Sequence, residues 1–248
     1  SNFGKEGQGA PLNGAFFRNI TSSNVRFVID GSGSMSACVM WGEGYGSWRT
    51  FYDPNRGRYR DTNQKCALTR MEALISEMTM ILEQLPNNTK VGITAFSSSG
   101  YRNNKGWSES SSGLARLGDD GKRESAIEFV NTLDDERVTR WGGTDPWNAI
   151  QQAFDDTETD TLYLMSDGQP NRDRDGGGWS SWDHEPTATF YAGENTNRQH
   201  QGTDRALIVN ATSLGLESPW LEKLSELTQG YYNQIDKNSL TEGQDDVS

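Results

Sequence analysis

Basic residues, histidine, cysteine and long apolar runs are all scarce in this 248-residue chain. Acidic residues number 35 against 23 lysines and arginines, so the formal net charge is −12. Nucleic acids and anionic membranes bind to basic faces, and this charge argues against both as partners. No apolar run is long enough to insert into a membrane, and no signal peptide is visible. Residue 1 is therefore expected to begin a mature or excised fragment, with any targeting or anchoring segment outside it.

The two histidines and two cysteines limit the chemistry further. His184 and His200 are too few and too far apart in sequence to indicate a catalytic pair or a metal cluster. Cys38 and Cys66 bracket one polar segment at a spacing that is not typical of a zinc site. They are either two free thiols or a disulfide, which would stabilise this loop by about 3 kcal/mol in the chain-entropy model. The bracketing favours the disulfide, and with it an oxidising compartment.

Short apolar segments alternate with polar, glycine-rich stretches, although only 33% of the residues are apolar. Apolar runs predict strands at 25–30, 90–96, 161–165, 206–209 and 231–235, with a short edge strand at 114–117. Helices are predicted at 71–85, 124–133, 146–154, 187–200 and 220–227. Strands alternating with helices predict an α/β fold, in which a doubly wound, mainly parallel sheet carries helices on both faces.

The domain organisation follows from the same alternation. We expect an arm or linker at 1–23, one domain at 24–241 with long insertions at 36–66 and 169–186, and a tail at 242–248. The first insertion combines aromatic residues with glycines, and its pattern suits neither a helix nor a strand, so an elaborate loop is expected there.

Three segments bring oxygen-bearing side chains to the expected carboxyl edge of the sheet, where ligands bind in folds of this class. The first is Asp30-x-Ser32-x-Ser34, directly after an apolar strand. The second is the glycine turn 142–146, which places Thr144 just before a helix, and the third is Asp167 at the end of another strand. Hydroxyls and carboxylates are hard oxygen ligands, so they favour Mg²⁺ with one coordination position left for a ligand from outside. Turn and cap chemistry are the alternative roles for these residues.

With these three segments in this order, and with the closing pattern Leu221-Glu-Lys-Leu-Ser-Glu-Leu-Thr-Gln-Gly230-Tyr-Tyr, the chain resembles the von Willebrand factor A domain family. The resemblance covers about residues 24–241 and implies a Rossmann-like fold with a metal-ion-dependent adhesion site. It implies that Ser32 and Ser34 bind Mg²⁺ (or Mn²⁺ or Ca²⁺) directly and that Thr144 binds it in the liganded state. Asp30 and Asp167 would act largely through water, and an acidic side chain of a protein partner, or a glycan, would complete the metal shell.

Two features go beyond a minimal member of that family. The segment 52–55, followed by Tyr59, resembles the inserts of A domains in bacterial type IV pilus tip adhesins, and its aromatic residues form either a recognition surface or a small satellite core. Asn171, Asp173 and Asp175 are spaced like the first half of a calcium loop, although Trp182 stands where the loop's last acidic ligand belongs. A second Ca²⁺ site or a solvated turn are the two interpretations.

Three functions fit this sequence to different degrees. The best is an extracellular adhesion module, part of a bacterial surface or pilus-associated adhesin, that binds its partner through the metal and has no catalytic activity. An intracellular A-domain scaffold, recruiting partners to an ATP-driven complex such as a chelatase, would use the same site without the disulfide. A metal-dependent hydrolase is disfavoured because no general base accompanies the hydroxyls.

Overall fold

The computed structural model describes residues 16–18, 20–41, 50–53, 58–61, 66–98, 104–134, 143–200 and 205–235. Inside 38–67 the description is of the backbone, and the side chain of His200 lies outside it.

A seven-stranded sheet forms the centre of the described domain. Its strands are β1 (Asn24–Asp30), β6 (Lys90–Phe96), β7 (Asn104–Gly106), β8 (Ala115–Arg116), β9 (Thr161–Ser166), β10 (Ile208–Leu214) and β11 (Tyr232–Ile235). The order is β11-β10-β9-β1-β6-β7, with β8 also paired to β6. All pairs are parallel except those of β7 and β8 with β6. The chain crosses from β1 to β6 on one side and returns to β9 on the other, so the winding reverses at β1.

Helices cover both faces of this sheet. They are α1 (Arg70–Gln84), α2 (Lys122–Asn131), α3 (Trp147–Asp155), α4 (His184–His200) and α5 (Pro219–Leu227). Side chains alternate along β1: Phe27 and Ile29 pack with α1 and α2, whereas Val28 packs with α3, α4 and α5. This arrangement confirms the predicted doubly wound α/β class. Within the described ranges, no helix is long and apolar enough to cross a membrane.

Helix α1 shows how local sequence sets the start of an element. Thr69 Oγ1 accepts a hydrogen bond from Glu72 N at 3.1 Å, and Glu72 Oε1 accepts one from Thr69 N at 3.2 Å. This reciprocal capping box satisfies amide groups that have no partner inside the helix. Leu74, Met78 and Ile81 then recur on one buried face.

The segment before β1 belongs to the packed core. Phe16, Phe17 and Ile20 are fully buried, and Phe17 contacts the rings of Phe27 and Tyr163 at centroid distances of 5.6 and 5.5 Å. The sequence assigned this segment to an arm because residues 1–23 are rich in Gly, Asn and Ser, a composition that obscures three apolar side chains.

The sequence also underestimated the strand content. The insertion expected to be a loop contains β2 (Cys38–Trp41), β3 (Thr50–Asp53), β4 (Arg58–Asp61) and β5 (Cys66–Thr69), paired antiparallel as β2–β5 and β3–β4. Strand β10 extends to Leu214, beyond the predicted end at 209, because polar residues such as Thr212 are buried in it. Alternation of polarity cannot detect a strand whose polar side chains are enclosed.

The backbone register does not support the predicted disulfide. Cys38 lies opposite Thr69, and Cys66 lies opposite Trp41. The two cysteines are thus offset by three positions along the ladder, which is roughly 10 Å at about 3.3 Å per residue. A disulfide requires Cα atoms within about 7 Å. The cysteine side chains themselves lie outside the described ones.

Candidate metal centre

Asp30 joins two chain segments at the carboxyl edge of the sheet. Its side chain is fully buried at the end of β1. Oδ1 accepts a hydrogen bond from Ser32 N at 2.7 Å, and Oδ2 accepts one from Ser166 Oγ and one from Asp167 N, each at 3.1 Å. One carboxylate therefore fixes both the loop after β1 and the end of β9.

Two hydroxyls and one carboxylate oxygen converge beside Asp30. A single 3₁₀ turn over Gly33–Ser36 returns Ser34 towards Ser32, and their Oγ atoms are 2.9 Å apart. Asp167 Oδ1 lies 2.7 Å from Ser34 Oγ and 3.4 Å from Ser32 Oγ. Adjacent ligands of an octahedral Mg²⁺ ion are about 3 Å apart, given bonds of 2.0–2.1 Å. These three oxygens therefore fit one face of such an octahedron.

The electrostatics of the cluster also fit a cation. Burial, and secondly the neighbouring carboxylate of Asp167, raise the pKa of Asp30 well above its usual range. Two buried carboxylates this close repel each other, and a divalent ion between them would offset both the repulsion and the loss of hydration. The donor set, two hydroxyls and two carboxylates, therefore suits Mg²⁺ or Mn²⁺.

Arg70 is a second charged neighbour, and it comes from outside the predicted set. Its Nη1 lies 3.2 Å from Asp167 Oδ2, on the carboxylate oxygen that does not face the serines. The backbone N of Arg70 donates to Ala37 O at 2.9 Å. This bond connects the start of α1 to the residue that follows the 3₁₀ turn containing Ser34. The cluster thus contains two carboxylates and one guanidinium.

Thr144 lies on the adjacent loop at the same edge. Its neighbour Asp145 donates through N to Ser97 O at 2.8 Å, just beyond β6, while Gly31 N donates to Phe96 O at 2.7 Å. The loop before α3 is therefore anchored one strand away from the serines. Thr144 itself is bracketed by Asn171, whose Oδ1 accepts from Thr144 N and whose N donates to Thr144 O at 2.9 Å.

Gly143 makes that bracket sterically possible, because a Cβ at this position would lie 2.5 Å from Asn171 Oδ1. Gly142, the first glycine of the predicted turn, lies outside the described residues.

The predicted second calcium site forms a turn in which one oxygen of Asn171 and one of Asp173 accept backbone hydrogen bonds. Asn171 is committed to Thr144, and Asp173 Oδ1 accepts from Asp175 N at 2.9 Å and from Gly177 N at 2.8 Å. Among the described residues, no three acidic, histidine or cysteine side chains gather around one point. Both interpretations of this loop, the Ca²⁺ site and the solvated turn, therefore stay predictions.

Sequence reasoning missed the roles of Ser166, Arg70 and Asn171. Ser166 directly precedes Asp167, and its hydroxyl donates to Asp30, so its place next to a recognised ligand was an available signal. A basic residue in the first turn of α1 was another, because the helix dipole disfavours a cation there. Nothing local indicated that Asn171 pairs with Thr144, since 27 positions separate them.

No family model matches this chain, and no curated protein matches it. Solved structures do match. Two are of proximal thread matrix protein 1 from the mussel byssus, one of them with a zinc-occupied MIDAS motif. Their identities are 14% and 12% and their TM-scores 0.47 and 0.49, over 90% of this chain in each case. This chain spans 44% and 46% of those two chains.

A third match is the SpRpn10 VWA domain. Its identity is 14% and its TM-score is 0.47, over 88% of this chain and 92% of that one. With identities of 12–14% and TM-scores below 0.5, these three matches assign no function to this chain.

Proposed function

We propose that this chain is an A-type binding module that holds a partner protein through a divalent cation, with Mg²⁺ as the first candidate. One observation carries the proposal: Asp30, Ser32, Ser34 and Asp167, from two separate segments, converge at the edge where the winding of the sheet reverses. Side chains from distant parts of the sequence come to one point here, and they are of the type that hard cations bind.

The composition of the shell explains why a partner would be needed. Hydroxyls carry no formal charge, and the protein side offers only part of an octahedron, so the ion keeps positions for water or an incoming ligand. Because Arg70 lies beside Asp167, the loaded cluster keeps one net positive charge, and an acidic side chain is the ligand that best matches it. A glycan hydroxyl would bind at the same position more weakly, because it is neutral.

We propose no catalytic role for this site. Asp30 already accepts three hydrogen bonds, and Asp167 accepts from Ser34 and from Arg70. Neither carboxylate is placed as a free base that could activate water.

We propose an extracellular setting, on a bacterial surface or pilus, as the first choice. The aromatic residues of the first insertion support it. The intracellular scaffold is the second candidate, favoured by one observation: the offset of Cys38 and Cys66 removes the main argument for an oxidising compartment. Mass mapping of the cysteines with and without reductant separates the two. A Cys38–Cys66 bridge would contradict the backbone register and support the extracellular setting, whereas two free thiols support the scaffold.

The metal function is tested by calorimetric titration of EDTA-stripped protein with Mg²⁺, Mn²⁺ and Ca²⁺. We expect one site in the wild type, and its loss in Ser32→Ala/Ser34→Ala. Ser36→Ala is the matched control, because Ser36 lies in the same 3₁₀ turn but its hydroxyl donates to Gly33 O at 2.7 Å. An unchanged affinity in the double variant would refute the proposed site.

A further inference from the structure

Arg70 occupies a position that is unfavourable by local rules. It is the first residue of α1, where the helix dipole presents positive charge and disfavours a cation. Its side chain is only 13% exposed, so the guanidinium is also partly desolvated. Asp167 compensates for this unfavourable position, because its Oδ2 accepts a hydrogen bond from Arg70 Nη1 at 3.2 Å.

The backbone at the end of β10 leaves room for this guanidinium. Gly215 has a φ of +89°, a conformation that favours glycine, and a Cβ there would lie 3.2 Å from Arg70 Nη2. The guanidinium therefore lies between Asp167 and Gly215, across the ends of two adjacent strands.

The charge of the cluster depends on Arg70. If both are ionised, Asp30 and Asp167 together offset the charge of one divalent cation, so without Arg70 the cation-loaded cluster would be formally neutral. With Arg70, the loaded cluster carries one net positive charge. Asp145, in the loop before α3, accepts a hydrogen bond through Oδ1 from Trp147 N at 3.4 Å.

We propose that Arg70 is a specificity-determining residue of the metal site: it weakens the binding of the divalent cation and makes the loaded site prefer an anionic ligand. This inference rests on the proposed function. The physical reason is that a positive charge beside Asp167 repels the incoming cation but attracts a carboxylate once the cation is bound. The same residue therefore acts in opposite directions on the two binding steps.

The test compares Arg70→Gln, which removes the charge and keeps a hydrogen-bond donor, with Arg70→Lys, which keeps the charge. Arg116→Gln is the control, because Arg116 is exposed and lies far from the metal site. Its backbone pairs with that of Lys90, at the opposite end of β6. Mn²⁺ affinity is measured by calorimetry. Acetate binding to the Mn²⁺-loaded protein is then measured through the water-proton relaxation rate. The enhancement of this rate by bound Mn²⁺ decreases as acetate displaces metal-bound water.

We expect Arg70→Gln to bind Mn²⁺ about tenfold more tightly and acetate about tenfold more weakly than the wild type. Arg70→Lys and Arg116→Gln should stay within about twofold on the metal step. In EDTA, Arg70→Gln should melt at a lower temperature than the wild type, since two carboxylates lose their cation, and it should gain more from added Mn²⁺.

Weaker or unchanged Mn²⁺ binding by Arg70→Gln would overturn the inference, because a residue that only positions Asp167 would have that effect. Tighter Mn²⁺ binding with unchanged acetate binding would overturn the claim about ligand choice. If the wild type bound no divalent cation, the proposed function itself would fail, and that result does not depend on any Arg70 variant.

Discussion

Asp30 and Glu77 are both fully buried carboxylates, but their surroundings differ. The surroundings of Asp30 fit a binding site, whereas those of Glu77 fit a structural role. Asp30 lies beside a second carboxylate and two hydroxyls at the open end of the sheet. Glu77 lies inside the domain, where Oε2 and Oε1 accept hydrogen bonds from Phe16 N at 2.8 Å and Phe17 N at 3.2 Å. Both are penalised by burial, but only the first has partners that could share a cation.

The pKa values follow the same division. Burial raises the pKa of Glu77 to about 8, although the two amide donors oppose that shift. A proton is therefore sufficient to neutralise Glu77 near neutral pH. At Asp30 the Asp167 carboxylate adds to the effect of burial, so two charges must be compensated and a divalent ion does so in one step. A buried acid predicts a cation site when a second acid and neutral oxygens surround it.

The largest expected effect concerns Glu77 and the pH dependence of stability. Since its folded pKa is about 8 and its ordinary value is 4.5, its stabilising contribution is complete below pH 4.5 and is lost as the pH rises through 8. The resulting decrease in the free energy of unfolding is at most roughly 5 kcal/mol, at about 1.4 kcal/mol per pKa unit. Glu77→Gln should flatten this decline in urea unfolding series from pH 5 to 9.

Metal affinity provides the control for that experiment, because Glu77→Gln should bind Mg²⁺ as the wild type does. Parallel pH–stability curves for the two proteins would contradict the assignment of a shifted pKa to Glu77.

A second prediction addresses the other carboxylate. Asp30→Asn keeps the shape of the side chain and removes its charge, so we expect a loss of Mg²⁺ affinity of about 100-fold, measured by calorimetry. Stability in EDTA should also fall, although the repulsion between Asp30 and Asp167 disappears with the charge. Asn has only one acceptor atom, so either Ser32 N or Asp167 N loses its buried acceptor. Asp175→Asn is the matched control: Asp175 is exposed and lies in the turn that was the candidate calcium loop. Equal losses in both variants would contradict the placement of the ion.

The smallest expected effect is at Thr144, which lies on a separate loop. Thr144→Ala should change Mn²⁺ affinity less than about fivefold, since the metal's main ligands come from the two other segments. Acetate binding to the loaded protein should weaken more, and Thr144→Ser should restore it by returning the hydroxyl. Equal weakening of both steps would show that Thr144 supports the cation before any ligand arrives.

The same contrast explains what could be predicted from the sequence. The site around Asp30 can be predicted from the sequence, because its residues directly follow apolar strands. The Asp-x-Ser-x-Ser motif marks the end of one strand, and parallel strands bring their carboxyl ends to one edge. Glu77 cannot be recognised as buried from the sequence, because helical periodicity reports only one buried face of α1 and Glu77 falls outside it. Its partners, Phe16 and Phe17, lie 61 and 60 positions earlier in the chain.

The contacts of Arg70 and Asn171 at this edge were missed for a related reason. Their partners, Asp167 and Thr144, are 97 and 27 positions away. Such contacts depend on how the loops meet after folding, and no spacing rule encodes them. The strands of the first insertion were missed because aromatic residues and glycines interrupt any period of two.

The most direct test of the central claim is anomalous diffraction from crystals of the protein grown with Mn²⁺. We predict one strong peak bonded to Ser32 Oγ and Ser34 Oγ at about 2 Å, with Asp30 and Asp167 around it. A peak at Asp173 and Asp175 instead, or no peak between the two serines at saturating Mn²⁺, would contradict the assignment of this edge as a metal centre.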